Sequence, residues 1–209
     1  MEEKKTGTTI VGIKGENFVV LAADKQATYG HIKYNKEEEK IHPVADYMAI
    51  ATSGLVGDAQ VLTRYLESRV RAMTIELGKK PSPRAITKYL ALILNSSKVI
   101  PFWVGLILGG YLEEPYLASI DAAGGIMEAR RFTAEGSGMP FALAVLESEY
   151  KEGIKEKDAI KLAVKAVEAS RKLDIYSGGE EPGIDVALIN EAGVRFLEPP
   201  EVQKIKRSL

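Results

Sequence analysis

Two apolar, β-branched runs open the chain, Thr8-Thr9-Ile10-Val11-Gly12-Ile13 and Phe18-Val19-Val20-Leu21-Ala22-Ala23. The short link Lys14-Gly15-Glu16-Asn17 between them predicts an antiparallel hairpin. With Ile13 opposite Phe18 across the turn, Thr8 falls opposite Ala23 and Asp24 lies beside Thr8. Gln26–Tyr29 and Ile32–Tyr34 flank Gly30 and suggest a second, smaller hairpin. Tyr47–Thr52 reads as a buried strand ending in Ser53-Gly54. The period then changes. Val61, Leu62, Leu66, Val70, Met73 and Leu77 recur at three- and four-residue steps, the mark of an amphipathic helix, and Gly78 closes it.

A second helix starts at Ser82-Pro83, with Ser82 as N-cap, and carries Ile86, Leu90 and Leu94 on its apolar side. Val104–Gly109 and Tyr116–Ile120 read as strands, Ile126–Ala134 as a strand pair, and Phe141–Tyr150 and Lys155–Leu173 as helices. Asp185–Asn190 and Val194–Phe196 form a last hairpin, followed by a polar, loosely held tail from Pro199. Strand-rich blocks separated by paired helices argue for an α+β domain rather than alternating βαβ units. Nothing in the chain reads as a repeat or linker.

At 209 residues the chain is one ordinary domain with room for a sizeable core. Its 28 basic and 29 acidic residues leave a net charge of −1, so no nucleic acid or anionic membrane is advertised as a partner. The absence of cysteine excludes disulfides, Cys-ligated zinc and thiol catalysis. A Ser-His-Asp triad is confined to His31 and His42, neither of which follows a nucleophile elbow. No apolar run approaches the roughly 18 residues of a membrane span, and the first five residues lack a signal-peptide core. A soluble, cytoplasmic protein is expected.

The predicted hairpin brings a hydroxyl and a carboxylate to one open end. A threonine hydroxyl is a weak nucleophile without a base, and one available base is the residue's own α-amine. That amine exists at Thr8 only once the Gly7–Thr8 bond is cut; its reference pKa of about 7.7–8.0 suits general-base work near neutrality. Gly7, without a Cβ, leaves its carbonyl open to close approach. From these residues alone, Gly7-Thr8-Thr9 can equally be the start of an edge strand. Asp24 and Lys40 can be an ordinary surface pair, and Gly54 a turn glycine.

Three segments narrow this: Gly7-Thr8-Thr9-Ile10-Val11-Gly12-Ile13, then Leu21-Ala22-Ala23-Asp24-Lys25-Gln26-Ala27-Thr28, then Glu39-Lys40-Ile41-His42. Ala51-Thr52-Ser53-Gly54, Ser119-Ile120-Asp121-Ala122-Ala123-Gly124-Gly125, Gly136-Ser137-Gly138 and Asp174-Ile175-Tyr176-Ser177-Gly178-Gly179 follow in order. Together they resemble the β subunit of the archaeal proteasome core particle, from about Gly7 to about Val194. The resemblance implies the N-terminal nucleophile hydrolase fold, a four-layer αββα sandwich of two antiparallel sheets flanked by helices. It further implies a seven-residue leader (1–7) removed by autolysis and a single domain over 8–209.

By the same resemblance Thr8 is the nucleophile, Lys40 its electrostatic partner and Asp24 the residue that orients Lys40. Ser137, Asp174 and Ser177 match positions around the nucleophile's amine. Gly54 matches the oxyanion and substrate-backbone glycine, and Thr28 the peptide-binding edge. Ala27, Glu38, His42, Thr52 and Val56 match the substrate pocket. Ala27 and Thr52 are small and suggest a roomy pocket; Glu38, pointing inward, would favour a basic side chain. The implied activity is threonine-type endopeptidase, with no metal or cofactor. The implied partners are proteasome α subunits, other β subunits in heptameric rings, an ATP-dependent unfoldase and unfolded protein substrates. Alternatives are a non-catalytic structural β subunit, an amidase of the same fold, and an HslV-like bacterial peptidase, whose chain is similar around Gln26-Ala27-Thr28.

Overall fold

β2 (Phe18–Asp24) is buried at all seven positions, because both faces of its sheet are covered. Phe18, Val20 and Ala22 point to one side, and Val19, Leu21 and Ala23 to the other. A computed structural model describes residues 7–30 and 32–209. In it β2 pairs with β1 (Ile10–Lys14) and with β11 (Ile184–Asn190); β10 (Phe132–Glu135) and β12 (Gly193–Phe196) complete a five-stranded antiparallel sheet in the order β10-β1-β2-β11-β12. A second sheet runs β5 (Ile41–Ala45), β6 (Met48–Gly54), β7 (Val104–Tyr111), β8 (Pro115–Ile120) and β9 (Ile126–Glu128). β3 (Ala27–Tyr29) and β4 (Ile32–Asn35) form a separate two-stranded ribbon.

The sheets stack through a core of Ile10, Val19, Leu21 and Ile189 against Ile41, Ala51, Ile107 and Leu117. The outer face of the first sheet carries α3 (Met139–Glu149), α4 (Glu156–Leu173) and α5 (Pro199–Arg207). The outer face of the second carries α1 (Val56–Leu77) and α2 (Pro83–Ser96). The result is the expected four-layer αββα sandwich. No helix among the described residues is long and apolar enough to cross a membrane.

Several expectations shift. The first hairpin pairs Ile13 with Val20 and Ile10 with Ala23, two residues away from the predicted register. A two-residue slip keeps every side chain on its face, so the hydrophobic pattern could not detect it. Asp24 therefore pairs with Thr9, whose carbonyl accepts its N–H (3.1 Å). β9 and β10 are not a pair: β9 extends the second sheet and β10 the first, the chain crossing between sheets at Ala129–Arg131. α1 begins at Val56 rather than Val61, and Val61 and Leu77 are more than half exposed, so the buried stripe is Ala59, Leu62, Leu66 and Val70. The tail is not loose. Glu198 and Glu201 form a reciprocal capping box that starts α5, and Val202 is buried against the first sheet's helical layer. Residues 1–6 of the expected leader and His31 lie outside the described residues.

Candidate active site

Asp24, the last residue of β2, is fully buried, and its carboxylate gathers five donors. Oδ1 accepts from the Thr8 hydroxyl (3.2 Å), the Thr9 N–H (2.8 Å) and the Lys40 ammonium (2.8 Å). Oδ2 accepts from the N–H groups of Gln26 (3.0 Å) and Gly178 (2.8 Å). A buried carboxylate needs such company, since isolation from water strongly disfavours its charge. Lys40 arrives from the segment before β5 and is also buried. Its three N–H bonds go to Asp24, to the Gln26 carbonyl (2.7 Å) and to Thr8 Oγ1. Burial pulls the Lys40 pKa below the ordinary lysine value, while the charge and hydrogen bond of Asp24, then Glu38 and Asp174, act the other way. The Thr8 oxygen thus accepts from an ammonium and donates to a carboxylate.

A second network holds the nitrogen side of Thr8. Its N–H donates to Ser137 Oγ (3.0 Å), and Ser137 donates to Asp174 Oδ2 (2.6 Å). Ser177 donates to the same oxygen (2.6 Å) and contacts Thr9 Oγ1 at 2.7 Å. With the Ser177 proton on Asp174, Thr9 is the donor in that contact. Asp174 caps the C-terminus of α4, its own N–H bonded to the Ser170 carbonyl. Alternation along the strand explains the division: Thr8 and Thr9 point to opposite faces, one toward Lys40 and the other toward Ser177.

Gly54 ends β6 at φ +105°, a conformation that strains any other L-residue, and a Cβ there would run into the Trp103 carbonyl. That carbonyl is fixed by the Leu55 N–H (2.8 Å), and the Trp103 N–H by Asp58 (2.8 Å). Gly7 is limited by contact rather than by φ. An added Cβ would overlap Tyr176 and crowd Ser137 Oγ.

Thr8 opens onto a small cleft of about 30 Å³ whose walls include Lys40, Gly54 and four of the five predicted pocket residues, Glu38, His42, Thr52 and Val56. Glu38 is held by Asn35 Nδ2 (3.0 Å). His42 is half-buried; desolvation lowers its pKa below the usual histidine value, against the opposing charges of Glu39, Glu38 and Asp185. Ala27 and Thr28 do not line this cleft. Both stand in β3, which pairs with β4 through a register shift between them.

Sequence reasoning missed Thr9, Gln26 and Gly178, which complete the Asp24 and Ser177 contacts, and Glu39, Ser53, Ala59 and Gln60, which line the cleft. Helical spacing from Val56 points to Ala59 and Gln60, three and four residues on, once α1 is known to start there. The backbone groups of Gln26 and Gly178 carry no side-chain signal and could not be read in advance.

The chain matches the family described as "Proteasome subunit" over residues 4–189. It is 45% identical to proteasome subunit beta 2 of Thermococcus gammatolerans over 195 residues, covering 93% of this chain and 96% of that one. Proteasome subunit beta 1 of Pyrococcus furiosus is 42% identical, with 92% and 97% covered. Proteasome subunit beta of Methanocaldococcus vulcanius is 40% identical, with 95% and 89% covered. The buried Thr8–Asp24–Lys40 network, the four-layer sandwich and the near-full-length similarity agree, and the chain belongs to the proteasome subunit family as a β subunit of the archaeal type.

Proposed function

We propose that this β subunit is a catalytically competent threonine endopeptidase, activated by cutting its own Gly7–Thr8 bond. The observation that carries the reading is the placement of Thr8 Oγ1 between Lys40 and Asp24. In the first step Thr8 Oγ1 adds to the Gly7 carbonyl carbon. The C–N bond breaks, the hydroxyl proton ends on the departing nitrogen, and the leader is left on Thr8 as an ester. Water hydrolyses that ester, releasing the Gly7 carboxylate and a free Thr8 amine. The Lys40 charge favours loss of the hydroxyl proton in this step and in every later turnover.

In peptide cleavage the freed amine takes the hydroxyl proton while Oγ1 attacks the scissile carbonyl, then passes that proton to the leaving amine. Water repeats the exchange to release the acyl group. Ser137, backed by Asp174 and Ser177, holds the nitrogen in place for this. Gly54 is the candidate oxyanion donor; one such N–H contributes about 2.7–4 kcal/mol to the transition state. The subunit would work in heptameric β rings capped by α subunits, fed with unfolded protein by an ATP-driven unfoldase in the cytoplasm.

Co-expression with an α subunit tests the reading. Intact mass of the assembled particle should give a chain beginning at Thr8, and Thr8→Ala should keep its leader and cleave no peptide. Particles that digest peptides with the leader still attached would overturn the mechanism. Particles that keep the leader and cut nothing would make this a structural subunit.

A further inference from the structure

The cleft beside Thr8 carries two carboxylates, Glu38 and Glu39, and one imidazole, His42, in the same wall. Lys40 is also there, but its three protons are already committed to Asp24, Gln26 and Thr8. Among the described residues neither carboxylate forms an ion pair: Glu38 is held by a neutral amide, Asn35, and feels Lys40 only through its charge. His42 has its pKa lowered by burial, the charges of Glu39, Glu38 and Asp185 oppose this, and no hydrogen bond among the described residues fixes its protonation state. It also separates two spaces. With Glu39 it lines a second cavity on the far side of β5, between the sheet edges, where Lys25, Asp185 and Glu198 are the other charged groups. There Lys25 and Asp185 pair with each other at 3.1 Å, leaving His42 as the group facing the cleft whose charge changes near neutrality.

Building on the peptidase reading, we propose that His42 makes side-chain selection at this cleft depend on pH. With its imidazole neutral, Glu38 and Glu39 select peptide bonds preceded by Arg or Lys; with it protonated, that selectivity is relaxed toward apolar side chains. No conformational change is needed. One unit of positive charge is added to the wall that carries Glu38 and Glu39, whose charges already act on His42. Burial places the change on the acid side of the ordinary histidine value.

The test is a ratio. Assembled particles are assayed with two fluorogenic peptides that differ only in Arg or Leu before the scissile bond, from pH 5.5 to 8. The ratio is that of their kcat/KM values. Titration of the nucleophile's amine or of Lys40 is common to wild type and His42→Gln, so the part that His42 adds is the difference between their two ratio curves. The Arg/Leu ratio should fall toward pH 5.5, by up to roughly fivefold once His42 is fully charged. The fall should be lost or much reduced in His42→Gln, and the ratio should be low at pH 8 in Glu38→Gln. A flat ratio in the wild type, or the same curve in His42→Gln, overturns the proposal. If neither peptide is cut, the peptidase reading fails instead. The ratio of dissociation constants of the two peptides for the same particle, read by fluorescence anisotropy, then takes the place of the kinetic one. A fall toward pH 5.5 that His42→Gln abolishes supports the role of His42, and a flat ratio overturns it.

Discussion

Asp24→Asn is isosteric, yet it should be among the most damaging substitutions in the chain. The side chain is fully buried, and both carboxylate oxygens only accept. An asparagine must put an NH₂ where one of them was. In the Oδ1 place it faces the Thr8 hydroxyl, the Thr9 N–H and the Lys40 ammonium; in the Oδ2 place it faces the N–H groups of Gln26 and Gly178. Either way at least two buried donors lose their acceptor, at about 1–3 kcal/mol each. Lys40 also loses the partner whose charge and hydrogen bond oppose the lowering of its pKa by burial. A total near 3–5 kcal/mol follows. With about 2.1 cal/mol/K of unfolding entropy per residue, a chain of this size loses roughly 2–3 °C of Tm per kcal/mol, hence about 7–12 °C. Thermal melts of the full-length chain by circular dichroism at pH 7.5 would read this. Asp185→Asn is the control: Lys25 and Asp185 are both about one-fifth to one-quarter exposed, and such a pair is worth under about 1 kcal/mol. If Asp24→Asn melts as little changed as Asp185→Asn, the five-donor account of Asp24 is wrong.

Gly7→Val should block maturation while leaving the fold intact after assembly, because its side chain overlaps Tyr176 and displaces Ser137; intact mass would show the uncut chain. Glu135→Gln addresses pH. Burial and the charge of Asp121 raise the Glu135 pKa above its unfolded value, so between about pH 4.5 and that folded value the native state keeps a proton the unfolded chain has released. Stability therefore falls as pH rises through that window. Glu135→Gln should melt higher than wild type at pH 7, with the difference vanishing toward pH 4. Ending the chain at Glu198 removes α5 and the buried Val202, and should cost about 2–3 kcal/mol, seen as a lower urea midpoint. A midpoint unchanged by truncation would return the tail to the loose state expected from its polarity.

Polarity misled there because a mostly polar run conceals one buried valine and a capping box whose value lies in geometry. Within α5 the one other aliphatic residue is Ile205, three residues on, which is too little to register as a stripe. The opposite holds for β2 and β6, where uninterrupted apolar runs announced strands covered on both faces. The site was legible as far as its chemistry lies in side chains: Thr8, Asp24, Lys40, Ser137, Asp174 and Ser177 do meet. What the letters withheld was register and backbone. A slip of two residues moved Asp24 from beside Thr8 to opposite Thr9, and the N–H groups that satisfy it belong to Gln26 and Gly178. Ala27, expected in the pocket, does not line the cleft, and the register shift beside it in β3 is a feature that no alternation pattern records.

Polypeptide ends ordinarily fray, since nothing beyond the last residue holds them. The hold on Thr9 changes that for any terminus created at Thr8. Its N–H is tied to Asp24, its carbonyl to the strand beside it and its hydroxyl to Ser177, so the residue next to a new chain start is already clamped on three sides. Severing the leader would then liberate a charge without liberating motion, and the first atom of the shortened chain would stay within reach of its own side chain.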